Sequence, residues 1–224
     1  MKRYIENIRN VHLFSTLRDE ELEVISRIMQ IKEFQKGQVI FQEGETGDAL
    51  YVVLNGLVKV SLFDEDGKEY ILDFIGRDGF FGELSLIDEL PRSADVTAIE
   101  DSQFLMIKRH DFLRLLEQNP MITISILKTL SRRLRAADER IKGLAFLNVE
   151  ARILKYLIEI GLKKGVRVRD YIVIERGPSQ IEIASSCGCS RETVSRMIKS
   201  LMEKGIIHMR KRQYTLLKPD YTSF

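Results

Sequence analysis

"PSQIEIASSCGCSRETVSRMIKSLMEKGIIHMRKRQYTLL", Pro178–Leu217, is the stretch on which the reading of this chain turns. Ser179 and Glu182 stand in the Ser-x-x-Glu spacing of a capping box, so a helix should start here. Ile181, Ile183 and Ala184 offer it an apolar side, Gly188 permits a sharp turn, and Ser190 can cap a second helix. On that second helix Val194, Met197, Ile198 and Leu201 fall within an arc of about 100° at 3.6 residues per turn. Arg191, Glu192, Ser195, Arg196 and Lys199 occupy the opposite side. One face packs and the other is available to read something. Gly205 ends the helix, and "IIHM" and "YTLL", joined by "RKRQ", predict a hairpin.

Helix, tight turn, polar-faced helix and β-wing form the winged helix-turn-helix plan, whose second helix enters the major groove of DNA. The side chains suit that task. Arginine can bond guanine O6 and N7 together, and glutamate can accept from cytosine N4. A carboxylate turned only toward phosphate would be repelled, so Glu192, set between two arginines, points to base reading. The basic wing tip is expected to touch phosphate.

Charge supports the same division of the chain. Residues 148–224 carry 15 Lys+Arg against 8 Asp+Glu, a net of +7, while residues 1–147 carry 20 against 25, a net of −5. An acidic front and a basic back suggest two domains, the second drawn to a polyanion. The 224 residues are 44% hydrophobic and 30% charged, ordinary for a folded protein. No apolar run approaches the roughly 20 residues that span a bilayer, and "MKRYIENIRNVHLF" lacks the apolar core of a signal peptide. Cys187 and Cys189 are too close to staple a fold. A cytoplasmic, reduced chain with no membrane partner is expected.

Upstream, "QVIF", "ALYVVL", "LVKVSLF", "EYILDF", "ADVTAI" and "QFLMI" alternate with turn segments between Gln38 and Ile107. Short strands at about ten-residue spacing, with Asn-Gly and Asp-Gly turns, predict a compact roll or barrel. "STLRDEELEVISRIM" before them reads as a helix capped by Ser15 or Thr16, with Leu22, Ile25, Ile28 and Met29 as its stripe. After the roll, Pro120 suits the first turn of a long helix. Its Leu127, Leu130, Leu134, Ala137, Ile141 and Leu144 follow one another at steps of three and four, a heptad seam that pairs two helices. The alternative is a helix lying on its own roll. The expected architecture is α+β: a β-roll or jelly-roll over residues 1–118, a dimerisation helix and hinge over 119–147, and a winged helix-turn-helix over 148–224.

Taken together, "CSRETVSR", "GLAFLNVEARIL" and "GEL…RSA" resemble the recognition helix, the hinge and the phosphate-binding cassette of the CRP/FNR family of bacterial transcription regulators. The resemblance runs over nearly the whole chain. It implies a homodimer that reads palindromic double-stranded DNA with half-sites similar to TGTGA and works with RNA polymerase. Arg191, Glu192 and Arg196 would read bases, with Thr193, Ser195 and Lys199 on the same helix and Ser179, Gln180 and Ser190 near phosphates. No cofactor is required, but an allosteric cyclic nucleotide, cyclic AMP or cyclic GMP, is implied. Arg92 would then pair its phosphate, Ser93 add a donor, and Glu83 accept from the ribose. Gly82 would let the backbone come close, and the N–H groups around Leu84 and Ser85 would add an anion site. Alternatively, Glu83 and Arg92 pair with each other and close the roll.

The sequence departs from the family pattern at one place. The positions that supply adenine contacts on the dimer helix hold Ala137 and Asp138. An ionised aspartate is an acceptor only, so it can take the adenine amino hydrogen or bind guanine N1–H and N2–H together. Its rival role is an ion pair with Lys142 or Arg135. Three other functions compete. A metal-dependent jelly-roll enzyme is disfavoured because His12, His110 and His208 fall one to a region. An iron–sulfur redox regulator needs about four cysteines, and Cys187 and Cys189 read as small buried thiols at the helix-turn-helix turn. A ligand-independent activator of the same fold stays open.

Overall fold

In the computed structural model, residues 8, 9, 11–14 and 17–217 are described. The chain divides into two compact units. One is the chain up to Leu62 together with Leu72–Leu134, and the other is Phe63–Ile71 together with the chain from Arg135 onward.

In the first unit a 3-10 turn, His12–Phe14, precedes helix α1, Asp19–Ile28. Ser15 and Thr16, the expected caps, lie outside the described residues. The helix instead starts behind Arg18, whose backbone N–H donates to Glu21 Oε2 at 2.8 Å. Asp19, Glu20 and Glu21 place negative charge at the helix's positive end. Eight strands follow: β1 Gln30–Phe34, β2 Val39–Phe41, β3 Ala49–Asn55, β4 Leu57–Phe63, β5 Glu69–Gly76, β6 Phe80–Phe81, β7 Asp95–Ala98 and β8 Ser102–Lys108. A one-turn helix α2, Leu84–Ile87, interrupts them, α3, Arg109–Gln118, comes after, and α4, Pro120–Phe146, belongs to the first unit up to Leu134 and to the second from Arg135.

The strands form two four-stranded sheets, ordered β1-β8-β3-β6 and β2-β7-β4-β5. They enclose a roll interior of Phe41, Val53, Val58, Ile75, Phe81, Val96 and Phe104. Leu50, Val52, Leu105 and Ile107 point to the other face of the first sheet, as period-2 alternation requires. There they meet Leu22 and Ile25 of α1, Phe112 and Leu115 of α3, and Ile122 and Ile126 from the start of α4. Strand β1 lay outside the expected set because it is an edge strand whose residues are almost all exposed, leaving no alternation to detect.

In the second unit Asn148 caps α5, Val149–Lys164, accepting from Ala151 N at 2.9 Å. Strands β9 Val166–Val168 and β10 Tyr171–Ile174 precede α6, Gln180–Cys187, and α7, Arg191–Glu203, and the hairpin β11 Ile207–Arg210 and β12 Gln213–Leu216 closes the unit. The sheet order is β11-β12-β10-β9. Its core joins Ile153 and Leu157 of α5, Ile183 of α6, Val194, Ile198 and Leu201 of α7, and Ile172, Tyr214 and Leu216 of the sheet. The fold is α+β, with a β-rich N-terminal domain, a long helix and a C-terminal helix-turn-helix with its wing. No helix among the described residues is long and apolar enough to cross a membrane.

Candidate effector cradle and nucleic-acid interface

Strand β6 ends at Phe81, and Gly82 turns the chain with φ of +82° into α2. That turn buries Glu83, only 2% exposed, beside Arg92, 4% exposed, which returns from the loop before β7. The Arg92 guanidinium lies 4.1 Å from the Phe41 ring centroid. Its Nη1 donates to Gly82 O at 2.7 Å and Ser85 Oγ at 2.9 Å, and Nη2 donates to Ala49 O at 2.8 Å. Its Nε has no partner. Glu83 and Arg92 do not pair with each other. Glu83 Oε1 instead accepts from Arg133 Nη1 of α4 at 2.7 Å, while Oε2 is buried without a partner. Arg133 Nη2 also donates to Phe80 O.

Burial pushes the Glu83 carboxyl above its ordinary range, and Arg133 pulls it part of the way back. Burial likewise lowers Arg92, opposed by Tyr51, Asp48, Glu45 and Glu83; the guanidinium stays charged. A fixed cation with an open donor and a buried carboxylate with an open acceptor lie in one cradle. Those orphans suit a small ligand that carries an anion and a hydroxyl. Leu84 and Ser93 are exposed and make no part of the buried network, whereas Ser85 is inside it.

Two contributors were not visible in the sequence. Arg133 reaches Glu83 across 50 residues, and its place among several arginines of α4 gave no signal. Gly47 passes so close that a Cβ there would sit 2.1 Å from Ser85 Oγ. In "EGETGD" it reads as an ordinary turn glycine.

In the reader, Ser179 Oγ accepts from Glu182 N at 3.2 Å, and Glu182 Oε2 accepts from Ser179 N at 2.6 Å, completing the capping box. Gly188 adopts φ of 61° at the end of α6, and Ser190 Oγ accepts from Thr193 N at 3.1 Å to start α7. Val194, Ile198 and Leu201 are buried, while Arg191, Glu192, Ser195, Arg196 and Lys199 are exposed. Backbone and Ser190 hydrogen bonds hold Glu192 below the usual carboxylate range, so it is ionised at neutral pH. Arg196 leans back on Thr193 Oγ1 at 3.3 Å, and Lys199 lies 3.9 Å from Glu203. Gln180 is half-buried at the start of α6.

One expectation changes, and one wing side chain is fixed in place. Ile181 is 61% exposed, so Ile183, Ala184 and Cys187 supply the apolar side of α6. Arg212 of the wing tip is not free. Its Nε donates to Gly177 O at 2.9 Å and its Nη2 lies 3.3 Å from Glu182 Oε2, which ties the wing to the start of α6.

Along α4, Leu127, Leu134, Ala137, Ile141 and Leu144 are exposed. Leu130 turns instead against the core of its own unit. Asp138 is exposed beside them, and Lys142 approaches Glu139 at 3.9 Å rather than Asp138. Cys187 is buried and free, its thiol pushed up to about 12 by burial, and Cys189 is half-buried and raised for the same reason. Among the described residues no group of three or more His, Cys, Asp or Glu could hold a metal ion.

Comparison with known proteins agrees with this geometry. Residues 31–119 match the family described as "Cyclic nucleotide-binding domain", and residues 151–221 match "Crp-like helix-turn-helix domain". The chain is 34% identical to the "Cyclic AMP receptor protein" of Thermus thermophilus, covering 88% of each chain. It is 29% identical to the "CRP-like cAMP-activated global transcriptional regulator" of Mycobacterium tuberculosis, covering 91% of each. Among solved structures, a c-di-GMP responsive global regulator of Xanthomonas campestris shares the fold with a TM-score of 0.78 at 24% identity, over 89% of this chain and 99% of that one. Fold, domain matches and full-length relatives converge: the chain belongs to the CRP/FNR family of DNA-binding transcription regulators.

Proposed function

We propose that two copies of this chain, paired along α4, read a near-palindromic operator whose half-sites are similar to TGTGA, under control of a cyclic nucleotide. The observation that carries the reading is the division of α7 into two faces. Val194, Ile198 and Leu201 anchor it while Arg191, Glu192, Ser195, Arg196 and Lys199 stand clear of the core. Arg191 and Arg196 take guanine, and Glu192, ionised, takes cytosine. Thr193, Ser179, Gln180 and Ser190 lie near phosphates, where the capped helix starts favour anions. Leu127, Leu134, Ala137, Ile141 and Leu144 form the seam between the copies, with Leu130 shared with the roll side.

The effector fits the cradle through its orphans. When bound, a cyclic nucleotide brings one phosphate anion and a ribose 2′-hydroxyl. Arg92 Nε and its remaining Nη2 hydrogen serve the anion, Ser85, Ser93 and the Gly82–Leu84 backbone surround it, and Glu83 Oε2 accepts from the hydroxyl. Both named relatives are described through cyclic AMP, which supports that ligand class without choosing the base. Asp138 is the residue suited to choose it. The ligand acts only through different affinities for two arrangements of the dimer. The division is an effector domain over 1–118, the dimer helix and hinge over 119–147 and the reader over 148–224. The protein acts by binding rather than catalysis, in the cytoplasm, with RNA polymerase as its partner at the operator.

The test is a double variant, Arg191→Ala with Arg196→Ala. It should lose its preference for operator over scrambled duplex, while the parent's binding falls steeply with salt. An unchanged preference in the double variant overturns the assignment.

A further inference from the structure

Only Leu147 and Asn148 separate α4 from α5, so the corner between them is short and its geometry depends on what fastens it. Arg152, in the first turns of α5, fastens it at two points. Its Nη1 donates to Leu147 O at 3.0 Å, at the end of α4, and its Nε donates to Cys187 O at 3.2 Å, at the end of α6. Both acceptors are carbonyls at helix C-terminal ends, where orphaned oxygens and the negative end of the dipole favour a cation. Cys187 is followed directly by Gly188, the left-handed turn that sets the direction of α7. One planar guanidinium thus joins the exit of the long helix to the turn that aims the recognition helix.

A second tie acts at the other end of α7. Glu150, also in the first turn of α5, accepts from Ser200 Oγ at 2.7 Å and pairs with Lys204. The start of α5 therefore holds α7 from both sides, at the turn that precedes it and at its last residues. The tie between Lys155 and Glu139, at 3.4 Å on the surface, adds little by itself.

We propose that Arg152 is a positioning residue for DNA reading: it fixes the angle at which α4 delivers α7, and so the separation of the two recognition helices in the dimer. The inference rests on the reading above, in which paired copies meet successive major grooves. Such a dimer must match a half-site spacing of about 34 Å. Each inserted base pair moves one half-site by about 3.4 Å along the duplex and rotates it by roughly a tenth of a turn. A rigid corner refuses the mismatch and a slack one accepts it.

The experiment measures binding of the full-length parent, Arg152→Ala and Arg152→Lys to duplexes with both half-sites intact. The spacer is optimal or changed by one or two base pairs, cyclic nucleotide is present throughout, and a single-half-site duplex is the reference. The parent should favour its optimal spacing by at least about tenfold, in line with ordinary penalties for a mismatched site. Arg152→Ala should shrink that ratio to about threefold or less, and Arg152→Lys, able to reach only one carbonyl, should fall between. A merely destabilised reader would weaken every duplex alike and leave the ratio where it was. Variants that keep the parent's spacing ratio overturn the inference, and Arg152→Lys decides the matter if Arg152→Ala does not fold. A parent indifferent to spacing instead overturns the dimeric reading on which the inference stands.

Discussion

Glu83 and Arg133 meet at 2.7 Å, a 2% exposed carboxylate held by a guanidinium that arrives from α4. Removing one partner of such a pair leaves a buried charge uncompensated, which costs about 3–5 kcal/mol when both groups are buried. Arg133 is 30% exposed, so Arg133→Ala should cost less, about 2–3 kcal/mol. The loss should also depend on pH. Burial raises the Glu83 carboxyl in the folded chain, so ionising it works against folding as pH rises through and above the ordinary carboxylate range. The variant should therefore lag the parent least in acid and most at neutral pH. Urea midpoints across that range measure it, and a pH-independent gap would contradict the account.

Arg92 is the cradle's only fully enclosed cation, and its fork is already oriented by Gly82 O, Ser85 Oγ and Ala49 O. Charge-assisted hydrogen bonds contribute roughly 1.5–3 kcal/mol each, so Arg92→Gln should weaken cyclic-nucleotide affinity by about a hundredfold. Arg92→Lys should not restore it, because an ammonium cannot reproduce the planar fork. Calorimetry reads both; affinity within twofold of the parent would remove Arg92 from the site.

Asp138 stands exposed on α4 in the stretch that carries Leu134 and Ile141. If it receives guanine N1–H and N2–H, Asp138→Ala should lower affinity for cyclic GMP by about tenfold or more. Cyclic AMP, which can give the carboxylate only its amino hydrogen, should lose less. Equal or tighter cyclic AMP binding, with cyclic GMP unchanged, would exclude a role for Asp138 in choosing the base.

How legible all this was in the sequence depended on the range of the interactions. The two faces of α7, the Ser179–Glu182 box and the Gly188 turn are local, and the spacing of Val194, Ile198 and Leu201 predicts what is buried. The strands between Gln38 and Ile107 announced themselves through apolar runs and glycine turns. Edge strand β1 did not, because its exposed residues carry no apolar alternation, and edge strand β9, Val-Arg-Val, is only three residues long, too short for its alternation to register. The pairing of Glu83 depended on a residue 50 positions away, and every arginine of α4 looked equivalent until the fold selected Arg133. Ile181 and Leu130 mark the limit of periodicity in the other direction. Helical spacing assigns a face, but tertiary neighbours decide whether that face is covered.

Cys187 should be chemically quiet. Its thiol, pushed up to about 12 by burial, is almost wholly protonated at neutral pH, and the thiolate is the reactive form. Alkylation of the native protein near pH 7.5 should leave Cys187 unmodified by mass spectrometry and label it only after denaturation. Because folding raises this thiol above its ordinary value of about 8.5, its contribution to stability should fade as pH rises from there toward about 12. Rapid native labelling would reopen a redox role.

The most direct test of the account is a titration of the purified chain onto a near-palindromic, TGTGA-like operator and onto a scrambled duplex, each with and without cyclic AMP or cyclic GMP. The account predicts a dimer that prefers the operator by about a thousandfold or more at physiological salt, with one nucleotide raising that affinity at least tenfold. A single subunit that binds both duplexes equally, whatever nucleotide is added, would contradict it.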